Sequence, residues 1–502
     1  MSVPTNSVRA YLGKISLAVL LLLLIALQAV PAAAQPAYRA PQPEDYGGLA
    51  WSEAFDRLHG KFSREYAFTG WKKIDWAALY SQFKPRIDRA QAADDFTAYY
   101  LALRGYVHSI PDGHVRITTV PEIDKKFIGG GFGFSAVKLS DGRIIAAWVD
   151  EAGAAFAQGL RAGAELLAWN GRPVKDALKD VPTLFTANSA TAEDLASQQV
   201  RYLTRAPRGT GVSLVFAVNG ETARATLSAY DDSGKSLARS YPAAVVSDGL
   251  RDLLLNAANP QPPPAAMIEK KILPGNIGYM KIWGEFDADL GDTGRAPSTL
   301  GLFRTALAEF NAAGVKGLIL DIRNNVGGLD SMVADMLASF YREEVLYEYQ
   351  NCFNAATDAW EIVPDDAQAG AADAGLYIRP AAPFFGGPVV ALVNGKCVSS
   401  GEGLAMGIRN LPNGETVGFY GTNGSFGMAG GGAKMPGNLE IHWPFGQSLD
   451  KNRQVQIDSR DGTGGIAPSV RTPLTKKNAL RIARGEDVEL EHAVEIITSR
   501  VK

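Results

Sequence analysis

Two uninterrupted apolar runs constrain this chain more than any other feature. They are "KGLILDIRNNVGG", residues 316–328, and "PVVALVNGKCVSSGEGLAMG", residues 388–407. Each ends in a corner rich in Gly or Ser and passes into a helical pattern. A strand that is apolar on both faces must be buried on both, which calls for a sheet covered by helices. The neighbouring segments keep the rhythm. "NIGYMKI" reads as a strand, "STLGLFRTALAEFNAAG" as a helix with a Gly stop, and "LDSMVADMLASFY" as a further helix. The C-terminal half is therefore predicted to be α/β.

The N-terminal half has two other rhythms. From about residue 50 to 110 apolar residues recur at three- and four-residue steps, as in "WSEAFDRLHGKFSREY" and "DDFTAYYLALRGYVHSI". That predicts a helical cap. A turn, "PDGH", and a strand, "VRITTV", follow. Then "FIGGGFGFSAVKLSDGRIIAAWV", "AAFAQGLRAGAELLAWNGRPV" and "GVSLVFAVNGETARATLSA" alternate strands with Gly and Asn-Gly turns. They predict a compact, strand-rich domain over residues 126–230. "DDSGKS" and "NPQPPPAA" read as a linker.

At 502 residues the chain exceeds one core, and 46% hydrophobic residues allow several. The formal net charge is −3, with no basic stripe of the kind nucleic-acid binding needs. Arg9 and Lys14, the run "ISLAVLLLLLIALQAV" and small residues to Ala34 have the order of an export signal. The sequence leaves two fates for it: cleavage near Ala34, giving a periplasmic or secreted protein, or retention as the protein's only link to a membrane. Cys352 and Cys397 are the only cysteines. In an oxidising compartment they pair or remain two buried thiols, and sequence does not decide.

In α/β sheets, sites form beyond the carboxyl ends of strands. The Gly327-Gly328 corner lets backbone N–H groups face a cleft, as an oxyanion hole requires, and equally suits a plain helix start. Ser399 and Ser400 read as a nucleophile turn or as a polar turn. A serine nucleophile needs a base, drawn from His59, His108, His114, His442, His492 or a lysine. His114 differs from the other histidines in lying in a turn after Gly113, where the cap meets a strand.

Four stretches in order resemble the C-terminal processing, or tail-specific, serine peptidases, in the branch similar to the tricorn protease core and the retinoid-binding-protein repeats. "LRGYVHSIPDGHVRI" resembles the segment with the catalytic His. "GGGFGFS" and the strands after it resemble a PDZ domain. "GLILDIRNNVGG" resembles the strand-plus-Gly signature, and "VVALVNGKCVSSGEGLA" the Ser-x-x-Glu nucleophile turn. The resemblance implies an α/β fold: a crotonase/ClpP-like β-β-α superhelix with a PDZ-like β domain and an N-terminal helical cap. Its boundaries are a signal peptide over 1–34, the cap over 35–125, the PDZ-like domain over 126–230, a linker over 231–272 and the catalytic domain over 273–502.

The resemblance implies Ser399 as nucleophile, His114 as general base, and oxyanion N–H groups from Ser400 and from Gly327 or Gly328. It also implies a late acid to orient His114, Asp458 or alternatively Asp461. A strand pattern that usually ends in Asp has Ser469 here. Relatives with a Ser–Lys dyad carry Lys where this chain has Ser425, and Lys434 is the next candidate. Peptide binding would use the loop Gly131, Phe132, Gly133 and Phe134, by strand addition. The implied partners are peptide or protein substrates, with no cofactor and no metal. A non-catalytic exported binder on the same fold is the rival reading. A crotonase-like acyl-CoA enzyme fits the paired glycines but not the signal or the PDZ-like module.

Overall fold

The computed structural model describes residues 38–241, 264, 266–290, 294–364 and 373–501. The export signal and most of the linker lie outside these residues. Three helices open the described chain: α1 Trp51–Glu65, α2 Trp76–Ala92 and α3 Phe96–His108. Asp75 and Asp95 cap α2 and α3 by accepting from the N–H groups of Ala78 and Ala98. Their apolar faces do not close on each other alone. Phe55, Phe62, Tyr99 and Tyr106 share one core with Met435, Ile441 and Trp443 from late in the chain. Phe62 stacks on Trp443 with ring centroids 4.6 Å apart.

The β domain follows the predicted hairpins. Its strands are β1 Phe134–Lys138, β2 Ile144–Val149, β3 Glu165–Trp169, β4 Gly211–Val218 and β5 Glu221–Ser228. They lie in the order β5-β4-β3-β2-β1, so β1 is an edge strand. A helix absent from the sequence expectation, α4 Ala192–Tyr202, packs beside β1, with Thr191 as its N-cap.

The α/β part has a six-stranded sheet. Its strands are β6 Ile268–Leu273, β7 Ile277–Ile282, β8 Leu318–Asp321, β9 Val389–Leu392, β10 Gly414–Gly418 and β11 Val470–Arg471, in that order. All neighbours after β7 are parallel. β8 and β9, the two apolar runs, are central, and none of their eight side chains is exposed. Asp321 pairs with Leu392, so both strands end side by side. Helices α5 Thr299–Ala312, α6 Asp330–Leu337 and α7 Ser400–Arg409 cover one face. On the other, α8 Val488–Arg500 contributes Ala493 and Ile497.

A second sheet is built on the long hairpin Gly427–Met435 and Leu439–Leu449. Only Arg116 and Ile117 of the predicted strand "VRITTV" pair, with His442 and Ile441. Pro121 then starts a helix at the N-terminal position it suits. That short pairing fixes the "PDGH" turn against this second sheet.

Candidate active site

The loops after β8 and β9 meet. Asn324 N–H donates to Asn394 Oδ1 at 3.0 Å, and Asn394 Nδ2 donates to Asn324 Oδ1 at 2.8 Å. Asn325 C=O accepts from Val398 N–H at 3.1 Å. Ser399 follows at φ 59°, ψ −136°, capping α7 without a side-chain capping bond. A non-Gly residue in this region costs about 1–3 kcal/mol and persists only where surrounding structure enforces it. Here Ser399 N–H donates to Ser425 C=O at 3.0 Å, and Ser399 C=O accepts from Glu402 N–H at 2.7 Å. The backbone turn exposes Oγ at a helix N-terminus.

Gly327 faces Ser399 directly. A Cβ there would lie 2.5 Å from Ser399 Cβ and 3.2 Å from its Oγ, so only Gly allows the approach. Its φ of 81° also favours Gly. The two glycines differ in their donors. Gly327 N–H is used by Asn325 Oδ1 at 2.8 Å. Gly328 N–H has no partner among the described residues, and Ser400 N–H is an orphan of the first turn of α7. Ser400 Oγ donates to Gly328 C=O at 2.9 Å, tying these two donors together.

The turn with His114 reaches this corner through Ser425. Gly113 N–H donates to Ser425 Oγ at 2.7 Å, while the carbonyl of the same Ser425 accepts from Ser399. Ser425 is positioned by Glu402, the Glu of Ser-x-x-Glu. Its buried carboxylate accepts from the N–H groups of Ser425 and Gly424 at 2.9 Å each and from Thr422 Oγ1 at 2.6 Å. Burial pushes Glu402 up to about 7, against these hydrogen bonds.

Asp112, which sequence reasoning passed over, is the carboxylate nearest His114. Its Oδ1 is 3.6 Å from His114 Nδ1 and accepts His114 N–H at 2.8 Å, while Oδ2 accepts from Tyr66 Oη at 2.9 Å. Burial would raise Asp112, but Lys72 and His114 overcome it and hold the carboxyl at about 2. The signal was in "PDGH", two residues before the histidine. Asp458 is buried in the same cluster, yet it holds Lys72 Nζ at 2.7 Å and accepts Phe426 N–H at 2.9 Å. Burial, with Asp112 close by, raises it to about 6. Asp461 is elsewhere, exposed and paired with Lys73 at 3.1 Å.

The remaining candidates lie apart from Ser399. Lys434 is on the hairpin strand Gly427–Met435, half-exposed, 3.6 Å from Asp45. His59 sits in the aromatic core with Nδ1 3.0 Å from Tyr106 Oη. Burial pushes His108 down to about 3. His442 lies 3.6 Å from Glu440, and His492 Nδ1 is 2.8 Å from Thr472 Oγ1. Ser469 exchanges hydrogen bonds with Thr416. Cys352 and Cys397 are both buried free thiols.

In the β domain, Gly131 is bridged by Tyr230 through both its N–H and C=O. Phe132 and Phe134 point into the core, Phe132 lying edge-to-face with Trp169 at 5.4 Å. Gly133 has φ 77° and sits under Tyr230, whose Oη would be 2.8 Å from a Cβ. β1 and α4 line a cavity of about 440 Å³, together with Tyr241, Phe419 and Leu474.

Residues 276–470 match the model for peptidase family S41, and residues 131–219 match that for a PDZ domain. The chain carries an S41 peptidase domain. It is a serine peptidase with a PDZ domain, and the non-catalytic alternative is not favoured. The S41 fold is shared with mature CPAF complexed with lactacystin: TM-score 0.61, 13% identity, 90% of this chain and 98% of that one. Mature CPAF alone gives TM-score 0.60 and 15% identity over 90% and 97%. The photosystem II D1 C-terminal processing protease aligns with TM-score 0.37 and 15% identity over 88% and 98%. No curated protein matches the sequence.

Proposed function

We propose that this S41 peptidase is an exported endopeptidase of tail-specific type, with Ser399 as nucleophile and His114 as base. The observation that carries this reading is the Ser399 turn. The serine has a positive φ and lies against Gly327, Ser400 next to it has an unused N–H and holds Gly328, whose N–H is also unused, and the His114 turn is bonded to the same Ser425.

In the reaction, neutral His114 takes the Ser399 proton as Oγ bonds to the scissile carbonyl carbon. The N–H groups of Gly328 and Ser400 stabilise the oxyanion. His114 then gives the proton to the leaving amine, the C–N bond breaks, and an acyl-enzyme remains. Water, deprotonated by His114, releases the acid and restores Ser399. Asp112 orients the imidazole, and Asp458 supports Asp112 through Lys72. The substrate strand adds to the free edge of β1, with the loop Gly131–Phe134 at its end, as PDZ modules take chain termini.

The test is labelling of Ser399 by a fluorophosphonate probe, together with hydrolysis of fluorescein-casein. Ser399→Ala abolishes both, and His114→Ala lowers both by about a hundredfold. Labelling that survives Ser399→Ala overturns the assignment. Export is tested by the mass of the secreted chain, which this reading expects to begin after Ala34.

A further inference from the structure

Glu285 follows β7 and is fully buried. Its backbone brackets the glycine loop. Its N–H donates to Gly327 C=O at 3.1 Å, its C=O accepts from Leu329 N–H at 2.8 Å, and Gly328 is bridged between them. Its side chain turns to the same loop. Oε1 accepts from Asn325 Nδ2 at 2.7 Å, and the buried Oε2 has no partner.

Asn325 connects the two halves of the site. Nδ2 also donates to Ile282 C=O at 3.2 Å, and Oδ1 accepts from Gly327 N–H. The backbone C=O holds Val398, next to Ser399, and the side chain lies against Gly401 of α7, where a Cβ would be 2.4 Å from Oδ1. Two acceptors, Glu285 and Ile282, fix which end of the amide is Nδ2. With the amide reversed, Nδ2 would face the Gly327 N–H, donor against donor.

We propose that Glu285 is a positioning residue of the oxyanion hole. By orienting Asn325, it ties the Gly327 N–H into the loop and leaves the Gly328 N–H as the donor beside Ser399. This rests on Ser399 being the nucleophile.

The protonation state of Glu285 follows from its surroundings. The titratable groups facing it are Asp330, at the start of α6, Tyr347, whose Oη donates to Asp330, and the buried thiol of Cys397. None is a cation. Burial raises Glu285 to about 8, helped by Asp330 and opposed by the Asn325 hydrogen bond. At neutral pH it is a carboxylic acid. Ionised, it would put an uncompensated charge next to the oxyanion and oppose the charge that develops there.

The experiment measures the fluorophosphonate labelling of Ser399 in the full chain, as kinact and KI from pH 6 to 9.5, for wild type, Glu285→Ala and Glu285→Gln. Wild-type kinact should fall above an apparent pKa near 8. Glu285→Ala should lose about tenfold or more in kinact at pH 7 with KI within about threefold, part of the loss known for a missing oxyanion donor. Glu285→Gln, which keeps the shape and cannot ionise, should recover most of that loss and lack the alkaline fall. A Glu285→Gln profile that falls as wild type does overturns the proposal, and this holds even if Glu285→Ala does not fold. So does a folded Glu285→Ala with wild-type kinact. If wild type is not labelled, the Ser399 assignment fails instead.

Discussion

The His114 imidazole shares its buried cluster with two carboxylates, and only Asp112 has an oxygen recorded near the ring, 3.6 Å from Nδ1. That separation exceeds a hydrogen bond, as in many resting sites that tighten when substrate binds. Asp112→Asn should therefore lower kcat on casein by about a hundredfold with little change in KM, since a neutral amide neither stabilises the imidazolium nor fixes its tautomer. Activity of Asp112→Asn within a few-fold of wild type would assign orientation to Asp458 instead. Lys434→Ala should leave activity within about twofold, because its ammonium is exposed beside Asp45 and its removal is a surface change. "PDGH" made the histidine visible. The setting of its aspartate was not, because nothing in sequence says that Tyr66 and Lys72 surround that carboxylate and hold it charged.

At the scale of elements, α7 and the loop 422–425 act as one unit. Glu402 on the first turn of α7 gathers three donors from that loop, and the loop then joins Ser399 to the His114 turn. Glu402→Ala would leave the N–H groups of Gly424 and Ser425 and the Thr422 hydroxyl buried without acceptors, at about 1–3 kcal/mol each. Denaturant unfolding should show a loss of about 3 kcal/mol or more, and casein hydrolysis should fall with it. A well-folded, active Glu402→Ala would mean the loop is held by its other contacts. The strands and helices of the sheet were readable because their periodicities are unbroken. The helix Ala192–Tyr202 was not, since its apolar positions are few and it is completed by packing beside β1.

At the scale of the molecule, one aromatic residue docks the PDZ domain on the peptidase domain. Tyr241 packs with Val137, Leu139, Ile145 and Ala147 on one side and with Phe419, Leu474 and Ile482 on the other. Its Oη donates to Glu489 at 3.1 Å, and Glu489 also takes Phe419 N–H and Arg323. Tyr241→Ala should cost about 3–5 kcal/mol and separate one unfolding transition into two by calorimetry. A single unshifted transition would show that the domains are held otherwise. Burial raises Glu489 to about 7 in spite of Arg323. The folded state thus binds its proton more tightly than the unfolded chain does, and stability is lost as pH rises toward and through 7. Glu489→Gln should flatten that loss between pH 5 and 8 in denaturant midpoints. Parallel wild-type and variant curves would contradict it.

By itself the sequence determined the central strands of the α/β sheet, the helices that flank them and the hairpins of the β domain. Unbroken apolar strands demand burial on two faces, and Gly and Asn-Gly turns demand hairpins. These are local properties, set by periodicity and by backbone conformations that few residues accept. Only the tertiary structure decided which groups meet. Asp112, and neither Asp458 nor Asp461, lies within 4 Å of the His114 ring, Gly328 rather than Gly327 keeps an N–H without a partner among the described residues, and the helical cap shares its core with the hairpin 427–449. Those outcomes depend on side-chain direction, on which hydrogen-bond partner each group finds and, for the cap, on contacts between residues hundreds of positions apart, none of which sequence spacing encodes.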